Sequence, residues 1–258
     1  MAMPTPDPPA PAAGFRWVRA PWGVQLVADP LASFRHGWTT RQLQLRGSPL
    51  VEDEGWRQAA SWLGVEPEQL VRLRQVHGSQ VFFADVQPPP PGPPDADAAV
   101  CGDPSRALTV QVADCVPLLL ADVSSGQVGV AHAGWRGTAA GIALAAAGAL
   151  GDGAGQVAAI GPSIGPCCYE VGAELRDRFR DSGWARGGDD WFEQRAGRWY
   201  LDLWSANVDQ LVKAGVPAES IHVSRLCTSC HPDWFPSYRR DGPGAGRIAG
   251  LIRAAGER

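Results

Sequence analysis

Residues 110–138 read VQVADCVPLLLADVSSGQVGVAHAGWRGT and contain most of three strand-like runs from which a sheet is predicted. Its aliphatic and β-branched runs are typical of buried strands, and they lie at Leu108 to Val112, Val116 to Asp122 and Val128 to His132. Asp114 and Cys115 stand just after the first run, and His132 ends the third. Side chains that can bind a metal therefore lie at the ends of neighbouring strands.

Outward from this stretch, the same kind of pattern predicts further strands at Val24 to Ala28, Leu73 to Val76, Val81 to Ala84 and Val157 to Ile160. Helical patterns, each with a Gly or Pro near its C-terminal end, predict helices at Glu54 to Gly64, Thr138 to Leu150, Val171 to Arg180 and Leu203 to Ala214. Because helices and strands alternate irregularly, the sequence predicts an α/β fold with a mixed sheet.

The domain organisation follows from length and from the position of the prolines. The chain has 258 residues and no break in composition through its middle, which favours one domain over residues 14–258. Residues 1–13 are rich in Pro and Ala and predict a disordered tail. The run PPPPGPP from Pro88 to Pro94 predicts an exposed loop, since proline cannot donate to a sheet ladder.

Composition and charge exclude several classes of partner. The 23 Lys and Arg against 27 Asp and Glu give a net charge of -4 without a basic stripe, which argues against nucleic acid. The N-terminus lacks the pattern of a secretion signal, so we expect a cytosolic protein. The longest apolar segment, Ala139 to Leu150, is short of the roughly 20 residues of a spanning helix, which argues against a membrane protein. Neither a Walker loop nor a dinucleotide loop is present.

The six cysteines favour free thiols or metal ligands over disulfides, because Cys167 and Cys168 are adjacent and a chain of this length needs no staples. Residues 227–231, CTSCH, have the spacing of a haem attachment site and of a redox dithiol. Haem is disfavoured by the missing export segment and because the chain's methionines are Met1 and Met3. A thioredoxin-type dithiol is disfavoured because Pro232 follows where a helix would begin.

A metal site is indicated by the context of three side chains rather than by any one of them. A lone His or buried Cys is usually structural. Here an Asp precedes Cys115, glycines follow His132 closely, and Arg136 enters the next helix, where an anion can bind. His77, with a Gly after it and strand-like runs on both sides, is the third candidate. We expect a divalent metal, zinc, on these three residues.

Two further segments leave a structural and a functional interpretation open. Gly161 to Glu170 is a rigid turn after a strand, and it either only connects elements or lines a ligand pocket with its backbone amides and Tyr169. Ser237 to Asp241 is either a solvated turn or the segment that sets an arginine such as Arg239 against an anionic substrate.

Several collinear motifs, spread over most of the chain, together resemble the laccase-domain family. This family is also called the peptidoglycan editing factor or multicopper polyphenol oxidase family, and its members are regarded as purine nucleoside phosphorylases. The resemblance is carried by residues 36–41 (HGWTTR), 75–78 (QVHG), 95–98 (DADA), 113–117 (ADCVP), 132–137 (HAGWRG), 161–170 (GPSIGPCCYE), 227–228 (CT) and 238–240 (YRR).

The resemblance implies a fold of stacked α/β/β/α layers and zinc bound by His77, Cys115 and His132. Three protein ligands leave a fourth tetrahedral position open, as catalytic zinc requires. Copper is the alternative ion for the same site. Cys230 lies outside the family match and is interpreted as incidental. The sequence departs from the family after Arg41, where residues 42–45 read QLQL instead of a Gly-Gly turn.

The activity implied by the resemblance is phosphorolysis of adenosine, inosine and methylthioadenosine, with deamination of adenosine as a second reaction. Cys115 is then a metal ligand and Asp114 is expected to transfer protons, while Arg41 and Arg136 are candidates for binding phosphate. Tyr169 and Arg239 complete the expected substrate contacts. The alternatives are a copper-dependent polyphenol oxidase and a non-catalytic peptidoglycan quality-control protein. The oligomeric state is left open.

Overall fold

The computed structural model describes residues 6–45, 53–85, 92–184 and 189–255. The strands in these ranges are β1 (Phe15–Ala20), β2 (Gly23–Ala28), β3 (Arg35–Trp38), β4 (Leu70–Val71), β5 (Val81–Phe83), β6 (Ala98–Cys101), β7 (Ala107–Val112), β8 (Val116–Asp122), β9 (Val128–Ala133), β10 (Gln156–Ile160), β11 (Glu170–Val171), β12 (Phe192–Arg195), β13 (Arg198–Leu201), β14 (Ile221–Val223) and β15 (Ile248–Arg253). The α-helices are α1 (Glu54–Leu63), α2 (Trp135–Ala139), α3 (Ile142–Leu150), α4 (Ala173–Asp181), α5 (Leu203–Lys213) and α6 (Tyr238–Asp241).

The strands form two six-stranded sheets and a small antiparallel sheet. The first sheet has the order β1-β2-β3-β15-β7-β4, and the second has the order β14-β10-β8-β9-β6-β5. Each large sheet is mixed, because β4 pairs parallel with β7 in the first, and β5 pairs parallel with β6 in the second, while their central pairs are antiparallel. The small sheet has the order β11-β13-β12.

The two large sheets stack face to face, with helices on both outer faces. Between the sheets lies a core of buried side chains to which β7 and β15 contribute Leu108 and Ile252, and β8 and β9 contribute Leu119 and Val130. A second core joins the outer face of the second sheet to α3 and α5, and a third joins α1 to the outer face of the first sheet. The resulting α/β/β/α layering confirms the fold expected from the sequence.

Most of the predicted elements are confirmed, with ends that shift by one or two residues. The three strands predicted within residues 108–132 all form, as β7, β8 and β9. β8 pairs with β9 in the second sheet, and β7 of the first sheet packs against β9. The predicted strands at Val24, Val81 and Val157 become β2, β5 and β10. The helices predicted from Glu54, Val171 and Leu203 become α1, α4 and α5.

The predicted strand Leu73 to Val76 is wrong, since the strand in this region is the shorter β4 and only an isolated bridge at Arg74 follows it. The physical reason is a hydrogen bond from the backbone to a distant side chain. The backbone N–H of Val76 donates to the carboxylate of Asp97 at 3.1 Å instead of joining a ladder.

The predicted helix Thr138 to Leu150 is two helices. α2 begins already at Trp135, and α3 begins at Ile142, directly after Gly141. Gly141 has a φ of 84°, a left-handed conformation that a right-handed helix cannot pass through. The first helix, α2, is therefore short, and it begins close to His132 in the chain.

The tail and the proline loop are only partly within the described ranges. Residues 1–5 and Pro88 to Pro91 lie outside them. Inside them, Ala12 N–H donates to Ser224 O at 3.0 Å and Pro9 O accepts from the Trp17 indole at 2.8 Å, so residues 9–12 are attached to the domain. Among the helices described, none is long and apolar enough to cross a membrane. The cytosolic location stays a prediction.

Candidate metal and substrate site

Three elements bring the predicted metal ligands together at one edge of the second sheet. His77 lies in the loop between β4 and β5, Cys115 directly precedes β8, and His132 lies in β9. One donor atom from each lies within 4.8 Å of the other two. The imidazole rings of His77 and His132 are 4.7 Å apart at an angle of 81°. Three residues that are separated by up to 55 positions thus form one cluster.

The carboxylate of Asp97 holds two of these ligands in place. It is fully buried, and its Oδ1 accepts hydrogen bonds from His132 Nδ1 at 2.8 Å and from His77 N–H at 2.9 Å. Its Oδ2 accepts from the N–H groups of Val76 and Gly78. Because Nδ1 of His132 is occupied, its Nε2 is the nitrogen left for a metal, an arrangement that recurs around metal-binding imidazoles.

Backbone strain marks the same site. His77 and Asp114 both have left-handed backbones, with φ angles of 62° and 85°. Such conformations cost non-glycine residues on the order of 1–3 kcal/mol and persist where surrounding contacts impose them. Asp97 imposes the one at His77. Asp114 is held by its own side chain, which is 8% exposed and accepts from Thr228 Oγ1, Ser237 Oγ and Arg239 N–H.

The donor set and the space around it fit a zinc ion. Two imidazoles and one thiolate are ligands that zinc prefers, and a set of three leaves a position for water or substrate. Gly134 leaves the room: a Cβ there would lie 2.8 Å from Cys115 Sγ and 3.2 Å from His77 Cδ2. His36, by contrast, is held between Ala28 N–H and Phe34 O, and within the described ranges it belongs to no potential metal-binding group.

The charges of the cluster favour the forms that bind metal through sulfur. Burial opposes ionisation of Cys115, but His132 and His77 outweigh it and lower the pKa of the thiol to about 6. Burial likewise opposes protonation of His132, yet the Cys115 thiolate and the Asp97 carboxylate raise the pKa of its imidazole to about 9. The pKa of Asp97 is lowered, since the bonds from His132 and from the backbone outweigh its burial. Without metal, the cluster is therefore a thiolate–imidazolium pair.

A cleft of about 630 Å³ opens above the cluster, within the size range of small-ligand pockets. Its walls include the apolar side chains of Leu73, Ile164 and Leu203. Its polar lining includes the four arginines Arg74, Arg136, Arg239 and Arg247. A cleft of this kind can hold a flat apolar group and an anion at the same time.

The four arginines differ in how they are engaged. Arg74 forms an ion pair with Asp95, Arg239 donates to Glu170 O, and Arg247 donates to Ala245 O. The guanidinium of Arg136 lies 4.3 Å from the centre of the Trp135 ring and has no hydrogen-bonded acceptor within the part of the chain that is described. Arg136 is therefore the arginine of this cleft whose donors are all unengaged among the described residues, and it can offer a bidentate contact to an anion.

Tyr169 and Arg239, the two residues that the sequence analysis proposed for substrate contacts, lie together in the cleft wall. The guanidinium of Arg239 is 5.0 Å from the centre of the Tyr169 ring. Burial and the negative charge of Cys115 raise the pKa of the Tyr169 phenol, so it stays protonated and can donate a hydrogen bond.

Two predicted site residues have other surroundings than expected. Arg41 does not line the cleft and donates to Pro232 O instead. Asp114 does line the cleft, but both of its oxygens accept hydrogen bonds from the segment around α6. These contacts favour a role for Asp114 in positioning Arg239 rather than in proton transfer.

Four cysteines form a second cluster that the sequence analysis missed. The sulfurs of Cys167, Cys168, Cys227 and Cys230 lie within 4.8 Å of one another. None of the six cysteines is paired in a disulfide, which agrees with the preference for free thiols or metal ligands. The interpretation of Cys230 as incidental is wrong, because its Sγ lies 3.4 Å from that of Cys168. The adjacent pair and the CTSC spacing were visible in the sequence, but nothing there indicated that they would meet.

Asp97, Arg74 and Arg247 were also missed as parts of the site. Asp97 stands in the DADA motif, which was noted only for the family resemblance. Nothing in the local sequence indicates that an aspartate directly before a strand will form a hydrogen bond with a histidine in another strand. Arg74 lies in the segment that was predicted as a strand and Arg247 lies in a segment without a predicted element, and only the fold brings the two to the cleft.

The layered α/β fold, with three potential metal ligands grouped under an arginine-lined cleft, defines the class of protein to which the chain belongs. A family model described as multi-copper polyphenol oxidoreductase laccase matches residues 49–255, and the chain belongs to this family. The family assignment made from the sequence motifs is thereby confirmed.

Curated relatives have names that indicate a purine-processing role for this family. The purine nucleoside phosphorylase YlmD of Geobacillus stearothermophilus is 39% identical over 209 residues, 76% of each chain. A purine nucleoside phosphorylase of Deinococcus radiodurans is 36% identical over 255 residues, 91% of this chain and 96% of its own. The adenosine deaminase RL5, from an unknown prokaryotic organism, is 36% identical over 206 residues, 75% of this chain and 79% of its own.

A solved structure agrees with the fold. The hypothetical protein YfiH of Bacillus licheniformis superposes with a TM-score of 0.84 at 27% identity, covering 94% of this chain and all of that one.

Proposed function

We propose that the chain is a zinc-dependent purine nucleoside phosphorylase that acts on adenosine, inosine and methylthioadenosine, in the cytosol. The observation that carries the proposal is the position of the His77, Cys115 and His132 cluster at the bottom of a cleft with an unengaged arginine beside it. The names of the relatives supply the substrate class.

Phosphorolysis breaks the bond between the sugar and the purine and forms a bond from the same sugar carbon to a phosphate oxygen. In the transition state the sugar is positive, while the phosphate and the departing purine are negative. Arg136 would bind the phosphate through its unengaged donors. Tyr169, which stays protonated, would donate a hydrogen bond to a ring atom of the departing purine.

The remaining residues orient these groups. Arg239 packs against Tyr169 and is fixed through its own N–H by Asp114. We therefore assign Asp114 a positioning role, with proton transfer to the purine coming from a group that is not already saturated with hydrogen bonds. A zinc ion on His77, Cys115 and His132 would supply Lewis acidity to a substrate or water oxygen in the open position.

Deamination of adenosine is the second candidate function. It is favoured by the open coordination position and by the relative named an adenosine deaminase. Zinc deaminases attack a purine carbon with a water that the metal activates. The cleft that would hold the purine for phosphorolysis would then hold it with its amino-bearing carbon above the cluster.

The test is an incubation of zinc-loaded protein with adenosine, with and without phosphate, followed by liquid chromatography of the products. A Cys115→Ala protein serves as the inactive variant and Cys101→Ser as the matched control, since Cys101 does not line the cleft and bonds to Asp85. We expect adenine only when phosphate and Cys115 are both present. Inosine in the same traces would add deamination.

The result that contradicts the proposal is equally direct. If neither adenosine, inosine nor methylthioadenosine gives a product with protein that contains zinc and keeps its circular dichroism spectrum, nucleoside chemistry is excluded. Copper-dependent oxidation of phenols and a purely structural metal would then be tested with the same preparation.

A further inference from the structure

Four cysteine thiols lie close together where two loops run side by side at one edge of the second sheet. Cys167 and Cys168 belong to the loop after β10, and Cys227 and Cys230 belong to the segment after β14. The sulfur of Cys230 lies 3.6 Å from that of Cys167 and 3.4 Å from that of Cys168. Residues about 60 positions apart in the chain are thus brought within contact of each other by the fold.

The spread of the sulfurs matches a single tetrahedral ion. Zinc–sulfur bonds of about 2.3 Å place the four sulfurs of a tetrahedral site roughly 3.8 Å apart. The sulfurs here all lie within 4.8 Å, with the closest pairs slightly below that tetrahedral edge. An iron–sulfur cluster spreads its cysteines over several irons and needs a wider set. A disulfide would use only two of the four sulfurs.

The surrounding backbone is arranged as at a thiolate site. The N–H of Gly165 points at the sulfur of Cys227 at 3.3 Å, which is a bond that a thiolate accepts more strongly than a thiol. The two loops are joined by backbone bonds from Ser163 N–H to Leu226 O and from Thr228 N–H to Ser163 O. These bonds hold the two cysteine-bearing loops side by side without an ion.

Two arginines, each also paired with a carboxylate, bond to the backbone beside the cluster. Four thiolates around a divalent ion have a net charge of minus two. Arg195 donates to Pro166 O, next to the first cysteine pair, and Arg240 donates to Thr228 O and Ser229 O, between the second pair. Cations near a thiolate favour its ionised form.

We propose that Cys167, Cys168, Cys227 and Cys230 bind one zinc-class divalent ion as a closed, structural site, separate from the His77, Cys115 and His132 cluster. Thiolates select soft and borderline ions, and four protein ligands leave no position for substrate. Binding releases the thiol protons to solvent, and no electron is transferred. Cys167 and Cys230 are exposed, so an ion can enter from solvent.

This ion would fasten together two walls of the cleft. Cys168 directly precedes Tyr169, and the segment that contains Cys230 leads to α6, which carries Arg239. Tyr169 and Arg239 are in contact across this junction. The closed site thus holds the substrate-facing side chains in position without touching the substrate.

The test is the metal content of protein purified in reductant without oxygen, reconstituted with zinc, freed of excess ion and measured by mass spectrometry. We expect about two zinc ions per wild-type chain and about one per chain in both Cys230→Ser and His132→Ala. Cys101→Ser is the matched control and keeps two. Loss of the ion from Cys230→Ser also lowers Tm more than Cys101→Ser does.

Cobalt replaces zinc as a spectroscopic probe where a variant fails to fold. In the wild-type protein, a second cobalt equivalent with strong sulfur-to-metal charge-transfer absorption supports four thiolate ligands. The proposal is overturned if the reduced wild-type chain takes up only one ion, or if Cys167, Cys168, Cys227 and Cys230 are alkylated at the same rate with and without zinc. A disulfide among them that forms in air, with no second ion bound after reduction, also overturns it.

Discussion

The single carboxylate of Asp97 links the strand that it precedes to the two histidines proposed to bind metal. It accepts four hydrogen bonds, one from the His132 ring and three from consecutive backbone N–H groups at residues 76–78. A group with so many partners fixes both the nitrogen that His132 presents and the left-handed turn at His77. The geometry of the metal cluster is therefore decided by a residue that is not itself a ligand.

Replacing this carboxylate tests that dependence. We expect Asp97→Asn to weaken zinc binding by about 10–100-fold, the usual cost of losing a partner behind a metal-binding histidine. The measurement is competition with a coloured chelator. Asp152→Asn is the control, because Asp152 lies in an exposed turn and bonds only to Ala154 N–H among the described residues. Equal zinc affinity in the two variants would contradict the assigned role.

The reactivity of Cys115 in metal-free protein should follow its lowered pKa. The thiolate is the form that reacts with iodoacetamide, so alkylation should rise as pH increases through about 6 and level off above it. Cys101, whose pKa is raised to about 12 by burial and by Asp85, should stay unreactive over the same range. Peptide mapping after short exposures gives both rates. A rise for Cys115 only near pH 9 would show that His132 and His77 do not stabilise its thiolate.

The prediction for phosphate binding concerns Arg136. We expect Arg136→Ala to raise the KM for phosphate about 10–100-fold, because a charged hydrogen bond contributes about 1.5–3 kcal/mol. The KM for the nucleoside should change little. Arg178→Ala is the matched control, since its guanidinium also lies over the Trp135 ring, at 5.7 Å, but does not line the cleft above the metal cluster. An unchanged KM for phosphate in Arg136→Ala would remove this residue from the proposed mechanism.

At the scale of elements, the turn between β9 and α2 places the backbone directly against the metal ligands. Gly134 is the last residue before α2, and its missing side chain leaves space for the Cys115 sulfur and the His77 ring. Since both neighbours belong to the cluster, neither can move away without changing the ligand geometry. The close approach is thus a requirement of the site rather than of the helix.

We therefore expect Gly134→Ala to reduce bound zinc at this site while the protein stays folded. The added Cβ would lie 2.8 Å from Cys115 Sγ, too close for an ordinary contact. Gly148→Ala, inside α3 with open space around it, is the control and should stabilise the protein by up to about 1 kcal/mol. Metal analysis and thermal unfolding of both variants give the comparison. Full zinc content in Gly134→Ala would contradict the prediction.

The elements also show what could be predicted from sequence and what could not. β7, β8 and β9 were predictable because uninterrupted aliphatic runs indicate burial on both faces, and the ligands at their ends followed. The strand expected at Leu73 failed because the N–H of Val76 binds a distant carboxylate, a contact that the local pattern does not encode. For the same reason nothing in the sequence indicated that Cys230 would meet three other cysteines or that Asp97 would bind His132, while the layered order of the sheets came from family resemblance and not from periodicity.

At the scale of the whole molecule, the two sheets are joined through Trp38. This fully buried side chain projects from β3 in the first sheet, and its indole N–H donates to Pro117 O in β8 of the second sheet at 3.1 Å. Gly161 and Gly250 leave the space that the indole fills. Cys115, two residues before Pro117, thus depends on contacts that cross from one sheet to the other.

This connection predicts that the described layers unfold as one cooperative domain. We expect Trp38→Phe to destabilise the protein by about 1–3 kcal/mol, through the lost hydrogen bond and the space left by the smaller ring. Urea unfolding followed by tryptophan fluorescence and by zinc release should give coincident transitions, shifted together in the variant. Trp62→Phe, at the half-buried contact between Trp22 and Trp62, should shift them less. Zinc release that clearly precedes the fluorescence change would show instead that the metal-bearing sheet opens before the other, and that the two sheets do not form a single cooperative unit.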